Sequence, residues 1–264
     1  MKQKWIRIFA GLLLAMLLPA AALADTPMNH EPYVATVYNE RNGLPTGEAN
    51  VVYQTSDHYV WIGSYGGLVR YDGSNFRNFS QEGLIPSSSI RALLEDSEGR
   101  LWVGTNDAGL FVYENGAFTR VQEAGEPVLL CIRDLIQNKD GIIYAASSSG
   151  LGRVENGVLV PVEAPLLTGN PVYTLAADRW GRIWCAMNDW QCAVVEGSQL
   201  KRVIASEEIF PDGAQIYSAA SDKEGRVYLG SYQSSIARLD FPTDALEPSA
   251  FEMTYFSTGE VTIH

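Results

Sequence analysis

Asp96 to Tyr113 reads D-S-E-G-R-L-W-V-G-T-N-D-A-G-L-F-V-Y. Asp96 through Gly99 is a tight-turn signal, and Leu101-Trp102-Val103 is a short strand around a tryptophan. A polar loop from Asn106 to Gly109 leads into a second strand, Leu110 to Tyr113. By composition and spacing this is a β-hairpin. The hairpin recurs. Its central aromatic has five copies, Trp61, Trp102, Tyr144, Trp184 and Tyr228, spaced 41, 42, 40 and 44 residues apart. Six residues before them stand Thr55, Asp96, Asn138, Asp178 and Asp222, and a glycine lies three before in four copies (Gly99, Gly141, Gly181, Gly225). Seven or eight residues after comes an apolar core position, Leu68, Leu110, Leu151, Cys192 or Ile236.

A further apolar run precedes each turn (Ile90 to Leu94, Ile132 to Ile136, Val172 to Ala176), and a fourth short strand closes each unit (Phe76 to Phe79, Phe118 to Val121, Phe251 to Phe256). Four short strands in about 42 residues are the signature of a β-propeller blade. A parallel β-solenoid would have shorter repeats without the D-x-x-G turn. The expected fold is therefore all-β, a propeller of four-stranded blades over residues 25–264, with five complete blades at about 47–80, 88–121, 130–162, 170–204 and 214–257. Residues 33–38 resemble an outer strand of the kind that closes a ring, and 259–264 resemble the start of a further blade. Five blades with two loose ends predict an incomplete ring, a fragment of a seven-bladed or larger propeller.

The first 24 residues differ from the rest. Lys2, Lys4 and Arg7 form a basic head, Ile8 to Leu18 is apolar, and Ala22-Leu23-Ala24 is a small-residue cleavage signal. This pattern is that of a secretory signal peptide, with an uncleaved N-terminal anchor as the alternative. Without it, 16 basic residues face 31 acidic ones, a net charge of −15. Such acidity argues against nucleic acid and anionic membrane surfaces as partners. The three cysteines, Cys131, Cys185 and Cys192, form neither a disulfide framework nor a zinc spacing. A two-residue turn at Asn188-Asp189 would set Cys185 opposite Cys192, making a cross-strand disulfide one option and a buried small hydrophobe at Cys192 the other.

Gly99-Arg100-Leu101-Trp102-Val103-Gly104-Thr105 with Gly109-Leu110-Phe111-Val112-Tyr113 resembles the two-component regulator propeller repeat, as does Val60 to Gly73. Asn42-Gly43-Leu44-Pro45 is similar to the opening of that sensor family. The resemblance runs over roughly residues 33–264, strongest in the first two blades. Blades three and four depart from it at Ala145-Ala146 and at Asp189-Trp190-Gln191. It implies an extracytoplasmic sensor whose propeller is followed by a β-sandwich, a membrane helix and a cytoplasmic histidine kinase or diguanylate cyclase.

The sequence offers no catalytic set. His30, His58 and His264 are scattered, and the catalytic and phosphate-binding motifs H-E-x-x-H, G-x-S-x-G and the P-loop are missing. The regular aspartates are explained as turn residues bonding their own backbone. An enzyme is thus not expected, and no metal or cofactor is implied. Two regions deviate from the repeat and become candidate ligand sites. Trp190, with Asn188 and Gln191, lies in the second-to-third-strand loop of blade four, where Tyr65 and Tyr232 occupy the corresponding loops of blades one and five. A loop tryptophan suits a sugar ring, or else folds back over the blade edge. Trp180 sits in a turn on the opposite face and is expected to pack.

Eleven residues before each anchor stand Asn50, Arg91, Arg133, Tyr173 and Tyr217, a polar ring at the starts of the innermost strands. Such a ring can bind an oligosaccharide or an anion, unless its arginines pair with Glu95 and Asp134. The leading expectation is an exported, non-catalytic sensor of an oligosaccharide or other small extracellular ligand, acting on a downstream module. The alternatives are a structural or protein-docking propeller, including a homodimer, and, weakest, a polysaccharide-acting enzyme.

Overall fold

The computed structural model describes residues 36–125, 127–187, 191–210, 213–232 and 235–257. The chain divides into two compact units, 1–37 and 38–264, and every strand among the described residues lies in the second. Residues 1–24, the expected signal peptide, and residues 259–264 fall outside the described residues. Of the expected strand 33–38, only 36–38 is described, and it is not in a strand. Instead Tyr38 packs on the outer hairpin of the first sheet, its ring 5.4 Å from that of Tyr71 and 5.2 Å from that of Phe76.

Five antiparallel sheets of four strands follow one another along the chain. The first comprises β1 (Val51–Gln54), β2 (Val60–Ser64), β3 (Gly67–Tyr71) and β4 (Phe76–Asn78). The second comprises β5 (Ile90–Glu95), β6 (Leu101–Thr105), β7 (Leu110–Glu114) and β8 (Ala117–Arg120). A two-residue strand, β9 (Gln122–Glu123), crosses over to pair in parallel with the edge of the third sheet. That sheet is β10 (Ile132–Gln137), β11 (Ile143–Ser147), β12 (Gly150–Glu155) and β13 (Val158–Pro161). The fourth is β14 (Val172–Ala177), β15 (Ile183–Met187), β16 (Gln191–Glu196) and β17 (Gln199–Ala205). After a single helical turn, α1 (Ser206–Ile209), comes the fifth: β18 (Ile216–Ser221), β19 (Val227–Ser231), β20 (Ser235–Asp240) and β21 (Glu252–Ser257).

The sheets stack face to face. One apolar cluster fills each gap: Trp61, Leu68, Phe79 and Val103 between sheets one and two, Trp102, Leu110, Leu135 and Ala145 between two and three. Tyr144, Leu151, Leu175 and Cys185 fill the next, and Trp184, Cys192, Leu229 and Phe241 the last. Burial on both faces makes β6, β11 and β15 wholly buried, which is why they read as continuous apolar runs. First strands of successive sheets lie side by side, β1 by β5, β5 by β10, β10 by β14 and β14 by β18, so they form the inner edge of the array. The repeated core slot is buried at Leu68, Leu110, Leu151 and Cys192, but Ile236 is 38% exposed. Among the described residues no sheet covers the outer face of the fifth.

In blades two, four and five the turn aspartate does more than close its turn. Asp178 Oδ1 accepts the N–H groups of Trp180 and Arg182, while Oδ2 accepts Arg182 Nε at 2.6 Å and the indole Nε1 of Trp184 at 2.9 Å. Asp96 makes the same four bonds with Glu98, Arg100 and Trp102. Burial raises the pKa of Asp96, but the bonds from Trp102 and Arg100 outweigh it and hold the carboxylate below its usual range. Asp222 repeats the pattern with Arg226 and the hydroxyl of Tyr228. Sequence reasoning assigned the aspartate a local turn role and missed the arginine four residues on. The signal was there: where the turn residue is Asn138, the arginine slot holds Ile142 and the indole slot Tyr144.

The disulfide expectation is corrected. Cys185 pairs with Ala193 and Cys192 with Ala186, one residue away from the expected register. A one-residue offset sends two side chains to opposite faces of a sheet. Cys185 accordingly packs between sheets three and four, Cys192 between four and five, and both thiols are free. Burial pushes the Cys192 thiol up to about 12 and Cys185 well above its ordinary value. A thiol reagent at neutral pH is expected to modify only the half-buried Cys131 in native protein and all three cysteines after denaturation. Rapid native reaction at Cys185 or Cys192, or a disulfide between them in the mass spectrum, would contradict this register.

Candidate functional site

The innermost strands of sheets two to five share an irregularity near their starts. Pairing steps from Ile90 to Ala92, from Ile132 to Asp134, from Val172 to Thr174 and from Ile216 to Ser218. Arg91, Arg133, Tyr173 and Tyr217 are therefore each the extra residue of a β-bulge. A bulge bends its strand and re-aims the side chain it carries. Four blades thus place their bulge at the one slot that the repeat leaves variable. In the first blade that slot is Asn50, immediately before β1, whose Nδ2 donates to the Ile90 carbonyl at 2.9 Å.

Antiparallel pairing puts this slot at the same end as the second-to-third-strand loops. Backbone bonds fix the loops there, from Asn106 to Ser89, Ser148 to Cys131 and Tyr232 to Gln215. Arg91 Nη1 reaches Asn106 Oδ1 at 3.4 Å. The Arg133 guanidinium lies 4.8 Å over the ring of Tyr173, a cation–π contact. Tyr217 and Tyr232 meet edge to face at 6.0 Å. Tyr173, Met187, Gln215, Ile216, Tyr217 and Tyr232 line a pocket of about 300 Å³ between the fourth and fifth blades. Tyr217 and Tyr232 are 59% and 76% exposed, a large aromatic surface with wet hydroxyl edges.

The predicted residues thus divide. Arg133, Tyr173, Tyr217 and Tyr232 come together; Arg91 is in the neighbouring blade. Tyr65 is exposed in the β2–β3 turn, away from the pocket. Gln191 opens β16 opposite Ala205 and does not line it. Asn188 and Trp190 lie outside the described residues. Met187, Gln215 and Ile216 line the pocket without having been foreseen, since Met187 and Ile216 read as strand core.

The pairing of the arginines with Glu95 and Asp134 does not occur. Glu95 accepts the backbone N–H and the hydroxyl of Ser56, each at 2.7 Å. Asp134 accepts the N–H groups of Leu135 and, across the blade boundary, Leu175, both at 2.8 Å. Burial pushes the Asp134 carboxyl up to about 6 against those two bonds. Among the described residues neither Arg91 nor Arg133 forms an ion pair, and Arg133 Nε is buried without a partner. In a chain of formal charge −12, these two arginines thus have no carboxylate partner among the described residues.

Sheet order, blade stacking and inner-edge bulges define a β-propeller with a polar and aromatic surface at one end. Residues 84–107 match the family model described as Two component regulator propeller. Solved structures agree on the fold. The extracellular domain described as that of the hybrid two component system BT3049 from B. thetaiotaomicron superposes with TM-score 0.62 at 20% identity, over 79% of this chain. The corresponding BT4673 domain from the same organism gives 0.62 at 15%, over 80%. Virginiamycin B lyase from Staphylococcus aureus gives 0.62 at 13%, over 78% of this chain and 68% of its own. This chain spans only 28% and 31% of the two B. thetaiotaomicron domains. At these identities the likeness concerns the fold. No curated protein matches the sequence.

Proposed function

We propose that this chain is the propeller portion of an exported sensor that recognises an extracellular carbohydrate, or a related small polar ligand, at the bulge-bearing end. The proposal includes passage of the signal to a module outside this sequence. The observation that carries it is the alignment of four bulges on Arg91, Arg133, Tyr173 and Tyr217. Bulges cost ladder hydrogen bonds, and a ring used only for packing would not need one at each variable residue. Exposed tyrosines beside arginines that lack a carboxylate partner match sugar recognition, in which ring faces stack and hydroxyls accept from guanidinium. The repeat family and the likeness to sensor extracellular domains support the same reading.

Screening the full chain on a glycan array, followed by calorimetry on the hits, tests it. Tyr217→Ala and Arg133→Ala are each expected to weaken a genuine hit about tenfold or more, since one lost charged hydrogen bond or aromatic contact is worth about 1.5 kcal/mol or more. Hits whose affinity ignores both substitutions would place recognition elsewhere. A second reading, docking of a partner domain or a second protomer, is favoured by exposed Ile236, Tyr255 and Phe256 on the fifth sheet. It would gain if no glycan bound and light scattering showed a dimer.

A further inference from the structure

The opposite end of the array holds a second cleft, of about 380 Å³, lined by Lys139, Trp180, Arg182, Glu196, Lys201, Asp244 and Leu246. Turns from three successive blades meet there: Lys139 from the third, Trp180 and Arg182 from the fourth, Asp244 from the fifth. Arg182 is 3% exposed. Its Nε is held by Asp178 and its Nη1 donates to the Asp244 carbonyl at 2.6 Å, but Nη2 is buried with no partner. Lys139 is exposed and forms no ion pair with a described residue; its side chain lies over Gly181. Lys201 is tied to Glu196 at 2.8 Å. Trp180, expected to pack, is instead 38% exposed and forms one wall.

We infer that this cleft is a binding site for a small ring-bearing carboxylate, of the sugar-acid class. Arg182 and Lys139 would hold the carboxylate while the ring lies against Trp180. A buried guanidinium nitrogen without an acceptor costs free energy that an incoming anion recovers. The Glu196 carboxylate marks the local field: its pKa is lowered first by its bond to Lys201 and further by Arg182 and Lys139. Three cations face two acidic side chains, Glu196 and Asp244, in the lining, and Asp178, paired to Arg182 from behind, balances the third. A cleft so balanced suits a singly charged carboxylate better than a phosphate, which carries nearly two negative charges at neutral pH. An indole face suits the apolar face of a sugar ring. This site is independent of the one at the bulge-bearing end.

Calorimetric titration of the full chain with glucuronate, glucose and inorganic phosphate tests the inference. Saturable glucuronate binding is expected, with glucose and phosphate each at least tenfold weaker. Trp180→Ala and Lys139→Met should weaken it tenfold or more; neither side chain belongs to the Asp178 network, to which Trp180 gives only its backbone N–H, so both variants are expected to fold. Tyr217→Ala should leave it unchanged, which separates this result from any at the other end. The inference is overturned if glucuronate fails to bind at about 10 mM, where even a millimolar affinity would register. It is also overturned if phosphate or glucose binds as well, or if Trp180→Ala and Lys139→Met bind glucuronate like the parent.

Discussion

Asp178→Ala is expected to destabilise the protein by about 3–5 kcal/mol, the range for removing one partner of a buried charged pair. Four donors converge on that carboxylate: two backbone N–H groups, Arg182 Nε and Trp184 Nε1. Arg182 and Trp184 are both buried, so water cannot replace the lost acceptor. Asp178→Asn should be nearly as damaging, because the amide nitrogen would point a donor at the guanidinium and the indole. Asp222→Ala should cost clearly less: Arg226 is about one-third exposed and can be solvated when its partner goes. Urea unfolding followed by tryptophan fluorescence measures all three. Equal losses at Asp178 and Asp222 would mean that these aspartates act only through their local turns.

Gly225→Ala is expected to destabilise by about 2–4 kcal/mol, combining overpacking with left-handed backbone strain. Gly225 has φ +72°, and a Cβ there would stand on the backbone nitrogen of Arg179 and 2.5 Å from its Cα. That nitrogen donates to the Gly225 carbonyl at 3.1 Å, joining the turns of blades four and five. Neither backbone can give way without breaking the bond. Gly99→Ala provides the control: φ is +78°, but a Cβ there meets nothing within 4 Å. Its expected cost is the conformational strain alone, about 1–2 kcal/mol. Similar midpoints for the two variants in the same denaturation assay would show that the inter-blade turn contact contributes little.

The sequence by itself determined the blade. Strand, turn and core positions recur every 40 to 44 residues because each sheet is buried on both faces by its neighbours, and that packing forces the same residue types into the same slots. It also singled out Arg91, Arg133, Tyr173 and Tyr217, since a slot that escapes the repeat is a slot the core does not constrain. Register was beyond its reach. A period-2 pattern survives a one-residue offset when both faces are apolar, so the sequence could not tell that Cys185 and Cys192 face different gaps. The bulges were hidden for the same reason: one extra residue leaves no mark in a continuous apolar run. Partner choice, too, was decided only in three dimensions. Glu95 and Asp134 lie close to the arginines along the chain, yet they bond to backbone groups of adjacent blades about 40 residues away. Likewise Arg182, Trp180 and Lys139 form one cleft only because successive turns stack at the same end of the array.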